Sequence, residues 1–141
     1  LNYIWKKIIN NMSDVPLLRN TLSKKERLSG KAGIERLLSK AHYGNANCIR
    51  YCFAADSGED CNRIMVSVPK KLFHRAVRRN LLKRRIRESY RTQKSLLPDG
   101  KGIDILFMYN SKDILDYRSV KLSMEKALKE ISNSVSYDSN F

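Results

Sequence analysis

The sequence predicts a single α+β domain, a small sheet packed with helices in the order αββαβα. Two observations carry that prediction. Three stretches, Cys48 to Ala54, Arg63 to Val68 and Ile103 to Tyr109, alternate side-chain character with the period of two that a strand with unlike faces requires. Around and between them, three longer stretches repeat apolar residues every three or four positions, the spacing of a helix packed by one face. At 141 residues and 42% apolar content the chain can build one core without disulfides.

The elements follow a peripheral segment. Residues 1–20 are Asn-rich, weakly apolar and broken by Pro16, and read as a flexible extension in which Met12 is a candidate natural start. Ser23 and Glu26 have the S-x-x-E spacing of a capping box, in which hydroxyl and carboxylate each satisfy an orphan backbone N–H. They open a first helix to about Lys40, interruptible at Gly30 and Gly33, with Ile34, Leu37 and Leu38 on one face. Tyr43 to Asn47 reads as a loop. The first strand sets Ile49, Tyr51 and Phe53 against Cys48, Arg50 and Cys52, and Asp56 to Asp60, with Gly58, makes the turn. The second strand groups Ile64, Val66 and Val68 and ends at Pro69, which has no N–H for a ladder. A second helix from roughly Arg75 to Leu96 stops before Pro98, Asp99 and Gly100. The third strand sets Ile103, Ile105, Phe107 and Tyr109 against Asp104, Leu106 and Met108. A last helix over about Tyr117 to Ser132 stripes Val120, Met124, Ala127, Leu128 and Ile131. The folded domain is thus 21–135, with 136–141 as a tail.

The charge is concentrated in the second helix. Lys70 to Lys94 holds eleven basic side chains and one acid, Glu88, which is +10 of the net +14. A run of like charge usually repels itself into disorder, but Leu82, Ile86 and Tyr90 are threaded through this one at four-residue intervals. On a helical wheel Asn80, Lys83, Arg84, Arg87, Arg91 and Lys94 share one sector, and Leu82, Ile86, Tyr90 and Leu97 the adjacent one. The apolar sector can pack on the sheet while the cations face the phosphates of a structured nucleic acid. Arginine suits this better than lysine because its planar fork grips phosphate in a bidentate way.

Other classes are disfavoured. No apolar run reaches the roughly 18 residues a membrane span needs, and residues 1–11 lack a secretory h-region, so the chain is expected in the cytoplasm. Cys48, Cys52 and Cys61 are odd in number and stand in no zinc spacing, so free thiols are expected and no metal site. His42 and His74 have no evident nucleophile or acid partner, and Asp56, Glu59 and Asp60 read as a solvated turn.

Val66, Ser67, Val68, Pro69, Lys70 and Lys71, then Arg79, Asn80, Lys83, Arg84, Arg87 and Glu88, resemble the signature of the protein subunit of bacterial ribonuclease P. That signature is a strand ending in S/T-V-x-K-K that leads into the R-N-R-x-K-R-x-x-R-E helix. The likeness runs from about Thr21 to Val135. Leu81 stands at the third letter of R-N-R, with Arg78 and Arg85 as neighbouring cations able to compensate, and Ile34 and Leu38 stand where relatives often carry Phe.

The resemblance implies the fold of ribosomal protein S5 domain 2, including a left-handed βαβ crossover against the usual rule. It implies a subunit of the ribonucleoprotein endonuclease that removes the 5′ leader from precursor tRNA, with no catalytic residue on the protein and Mg²⁺ held by the RNA. The catalytic RNA would meet Lys70, Lys71, Arg75, Arg78, Arg79, Asn80, Lys83, Arg84, Arg87 and Arg91. A cleft between first helix and sheet would hold the single-stranded leader with Ile34, Leu38, Tyr51, Phe53 and Ser67. Catalytic RNA and precursor tRNA are the partners, with no obligate protein partner. Two alternatives stay open: a general RNA-binding protein using the same basic helix, and a protein-only nuclease, which would need clustered acids.

Overall fold

The computed structural model describes residues 22–138; the expected N-terminal extension, Met12 and the last residues of the tail lie outside the described residues. A 3₁₀ turn (Lys24–Glu26) precedes helix α1 (Lys31–Lys40), strands β1 (His42–Ala46), β2 (Ile49–Ala54) and β3 (Arg63–Ser67), and helix α2 (Ala76–Gln93). A second 3₁₀ turn (Lys94–Leu96), strand β4 (Asp104–Tyr109) and helix α3 (Tyr117–Asp138) complete the order.

Two elements depart from the sequence reading. The expected helix from Ser23 is divided, because the chain between its halves lies along the sheet. Ser23 N–H donates to Glu26 Oε2 at 3.0 Å, but Arg27 then bridges Ile64, and Leu28 N–H donates to the Ile64 carbonyl at 2.7 Å. Leu28 is buried there, and Gly30, at φ 88°, makes the left-handed step that restarts the helix. The expected loop at 43–47 is strand β1. Gly44 and Asn45 have low strand propensity, yet β1 pairs with β2 through a two-residue turn in which Asn47 takes φ 53°.

Gly44 is required by packing. The Tyr51 ring lies across it, and a Cβ there would sit 2.3 Å from the ring. The Tyr51 hydroxyl thereby reaches Glu130 on α3 and donates to its carboxylate.

The sheet order is β1-β2-β4-β3, antiparallel except for the parallel pair β3/β4, which α2 connects as a βαβ crossover. One face carries Ile49, Tyr51, Phe53, Ile64, Ile105, Phe107 and Tyr109 and packs against Leu82, Ile86 and Tyr90 of α2 and the apolar stripe of α3. α3 runs beyond Ser132 because Val135 is also buried there. On the opposite face, Cys52, Met65 and Leu106 meet Leu28 and Leu37 in a smaller cluster under α1. The N-terminal ends of β3 and β4 are tied by a bidentate pair, Arg63 to Asp104, at 2.8 Å on both oxygens. Asp104 is only 2% exposed.

Candidate nucleic-acid interface

Pro69 ends β3 and its carbonyl accepts from the N–H groups of Leu72 and Phe73, at 3.1 and 3.2 Å, so the chain turns at once. Lys70 and Lys71 are exposed on that turn. Phe73 anchors the turn to the core, its ring centroid 5.8 Å from that of Tyr109. α2 follows, with Arg75 as its N-cap residue and a rise of about 27 Å for eighteen residues.

Its buried side is Leu82, Ile86 and Tyr90, as expected from the wheel, joined by Ser89; Leu97, expected on the same sector, is buried beyond the end of the helix. On the outer side Asn80, Arg84, Arg87 and Arg91, with Glu88, line a groove of about 560 Å³ whose other wall is Leu22 and Arg27. Arg27 was outside the sequence-based set, because only the Arg27–Ile64 bridge brings it beside α2. Lys94 Nζ meets Glu26 at 2.9 Å and ties this wall to the end of the helix.

The cations are not equivalent. Arg75, Arg78, Arg84 and Arg87 are exposed and, among the described residues, show no ion pair or side-chain hydrogen bond; Lys83 is half-buried. Arg91 is paired with Glu88, whose carboxyl that hydrogen bond holds below its usual range. Arg79 Nη1 donates to the carbonyls of Phe73 and His74, both at 2.8 Å. Arg85 donates to the Leu115 carbonyl ahead of α3, which corrects the expectation that it stands in for the cation missing at Leu81.

A second groove lies on the α1 side of the sheet. Paired residues point to the same face, so β1 to β3 present the row Asn45, Arg50, Met108 and Ser67 beside the row Tyr43, Cys52, Leu106 and Met65. α1 covers much of the second row and leaves the first open. The resulting groove, about 710 Å³, has Cys52, Leu106 and Met108 as its floor, Leu38 on one wall, and Tyr43, Asn45, Arg50 and Asn110 around it. Leu38 is 46% and Tyr43 73% exposed.

The leader set named from sequence is therefore divided. Leu38 lines this groove, Ser67 ends its open row, and Ile34 is half-buried on α1. Tyr51 borders this groove, but its ring and that of Phe53 belong to the opposite face, in the core under α2 and α3. Burial, then the Glu130 carboxylate, pushes the Tyr51 phenol well above its usual value. The alternation holds from Ile49 to Ala54 but not at Cys48, which precedes the strand and is buried in the α2/α3 core, its thiol 3.1 Å from the Ser123 hydroxyl. Arg50 and Cys52 are the β2 residues whose side chains face the groove. Asp56, Glu59 and Asp60 stay in an exposed turn, with Glu59 3.6 Å from Arg63.

Comparison with known proteins agrees with this geometry. Residues 22–132 match the Ribonuclease P family. The ribonuclease P protein component of Porphyromonas gingivalis is 36% identical over 121 residues, covering 81% of this chain and 88% of that protein. The Staphylococcus aureus RNase P protein superposes with a TM-score of 0.65 at 29% identity, over 75% of this chain and 94% of that one. The Thermotoga maritima RNase P protein gives 0.64 at 27% identity, over 74% and 96%. A sheet of this order, a basic crossover helix after a lysine pair and these relatives lead to one conclusion: the chain belongs to the protein component family of the tRNA-processing enzyme ribonuclease P.

Proposed function

We propose that this chain binds the catalytic RNA of ribonuclease P along α2 and holds the single-stranded 5′ leader of precursor tRNA in the groove beside α1. The observation that carries the reading is the separation of two unlike surfaces. Asn80, Arg84 and Arg87 point outward beside Lys83, with Lys70, Lys71, Arg75 and Arg78 at the start of the helix, an array suited to backbone phosphates. The other groove has an apolar floor, an exposed aromatic rim at Tyr43 and one cation, Arg50, which suits unstacked bases on a strand rather than a duplex.

In this reading the protein supplies binding and placement, and the RNA performs the Mg²⁺-dependent hydrolysis. Among the described residues no three His, Cys, Asp or Glu side chains converge as metal ligands, so no step is assigned to a protein-held ion. No helix among the described residues is long and apolar enough to cross a membrane, and we place the reaction in the cytoplasm with its tRNA substrates.

The test is reconstitution. A bacterial ribonuclease P RNA is given 5′-labelled precursor tRNA at limiting Mg²⁺, with and without this chain, beside a protein-alone control. Stimulated cleavage at the mature 5′ end, with none from protein alone, is expected. RNA binding without stimulation would favour a general RNA-binding protein, and cleavage by protein alone would favour a nuclease.

A further inference from the structure

We infer that Arg79 is a positioning residue, which fixes the turn carrying Lys70 and Lys71 against α2 instead of contacting RNA itself. The inference rests on the reading of that lysine pair as an RNA contact. Three observations support it. First, one guanidinium nitrogen of Arg79 bridges two successive carbonyls, Phe73 and His74, at 2.8 Å each. Those groups lie just ahead of the helix, where the backbone has left β3 and has not begun α2. Second, the turn is held at two other points, by the Pro69 carbonyl at its start and by the Phe73 ring in the core, so Arg79 closes a three-point mount from the helix side. Third, Arg79 is half-buried while Arg78 and Asn80 on either side are exposed.

The physical consequence is entropic. Lysine side chains lose conformational freedom when they dock, and a loose backbone beneath them would add its own ordering cost. A turn that is already fixed in the free protein avoids that cost. Charge–carbonyl hydrogen bonds are also stronger than neutral ones, so a cation holds the turn better than an amide would.

A double-mutant cycle tests this with a bacterial ribonuclease P RNA transcript as probe. The variants are Arg79→Ala, the pair Lys70→Gln with Lys71→Gln, and all three together, with Arg84→Gln as reference. The expected result is that Arg79→Ala weakens binding about fivefold or more in the natural background and less than twofold once both lysines are gone. Hydrogen exchange of the free protein should show faster exchange at the 70–75 amides in Arg79→Ala, with the middle of α2 unchanged. Equal loss in both backgrounds would make Arg79 a phosphate contact and overturn the inference. A lysine pair without effect would overturn it too, and Arg84→Gln would then show separately whether the α2 interface stands. Arg79→Gln replaces Arg79→Ala if the latter does not fold, and failure of both would assign Arg79 to fold stability rather than lysine placement.

Discussion

Replacing Arg84 and Arg87 together with Gln should weaken binding to the catalytic RNA by an amount that depends on salt in a calculable way. Both side chains are exposed on the outer side of α2 and have no side-chain partner among the described residues, so their loss leaves nothing unpaired. Each phosphate contact contributes about 0.7–0.9 to the slope of log affinity against log salt. Two contacts therefore lower the slope by about 1.4–1.8, which corresponds to about 70–200-fold weaker binding at 50 mM salt and about 10–20-fold at 200 mM. A fluorescence titration of ribonuclease P RNA at four salt concentrations reads this directly, with the stability from urea unfolding expected to stay within about 0.5 kcal/mol of the parent's. Arg85→Gln is the internal control, because its guanidinium is on the Leu115 carbonyl: it should lower stability and leave the slope alone. Parallel salt plots for the Arg84/Arg87 variant, or an equal slope change from Arg85→Gln, would refute the assignment.

Three further outcomes are expected. Leu38→Ala with Tyr43→Ala, both at exposed groove positions, should cost under about 1 kcal/mol of stability yet reduce the preference for precursor over mature tRNA about fivefold, read by competitive binding; unfolding, or equal loss for both tRNAs, would count against the groove. Asp104→Asn should cost about 3 kcal/mol in urea unfolding, because it removes one partner of a nearly buried, bidentate pair, and a change under about 1 kcal/mol would show the pair to be dispensable. Tyr51 has its phenol raised by burial and by Glu130, so the folded state keeps a proton that the unfolded state releases around the ordinary phenol value of 10.0. Its stabilisation is present below that pH and is lost as pH rises, by up to about 1.4 kcal/mol per pH unit. Tyr51→Phe should therefore flatten the alkaline fall in stability, and an unchanged slope would contradict the burial of that hydroxyl.

Much of this architecture could be read from residue pattern, and the misses share a cause. α2 was legible because Leu82, Ile86 and Tyr90 are separated by cations at helical spacing, so its buried side and its outer side could both be named. β1 was not, since Gly44 and Asn45 disfavour a strand, Tyr43 alone does not make one, and the segment is held by pairing with β2, a contact local residue preference does not encode. The division of the first helix turns on Leu28 docking beside Ile64, a tertiary gain that exceeds what helix continuity offers. The groove shows the same limit. Alternation separated Tyr51 and Phe53 from Arg50 and Cys52 without saying which set the heavier layer of α2 and α3 would cover. In sequence Arg79 and Arg84 both read as RNA contacts and Arg85 as a neighbouring cation able to compensate; the carbonyls that Arg79 and Arg85 reach are tertiary contacts that residue pattern does not encode.

Photocrosslinking of the assembled holoenzyme tests whether two surfaces of one small domain meet two different RNAs. A benzophenone amino acid is placed at Tyr43 on the groove rim and, in a second sample, at Arg84 on α2, with differently labelled ribonuclease P RNA and precursor tRNA present. Crosslinks are expected from position 43 to the 5′ leader and from position 84 to the catalytic RNA. The same RNA captured from both positions, or the reverse assignment, would contradict that division.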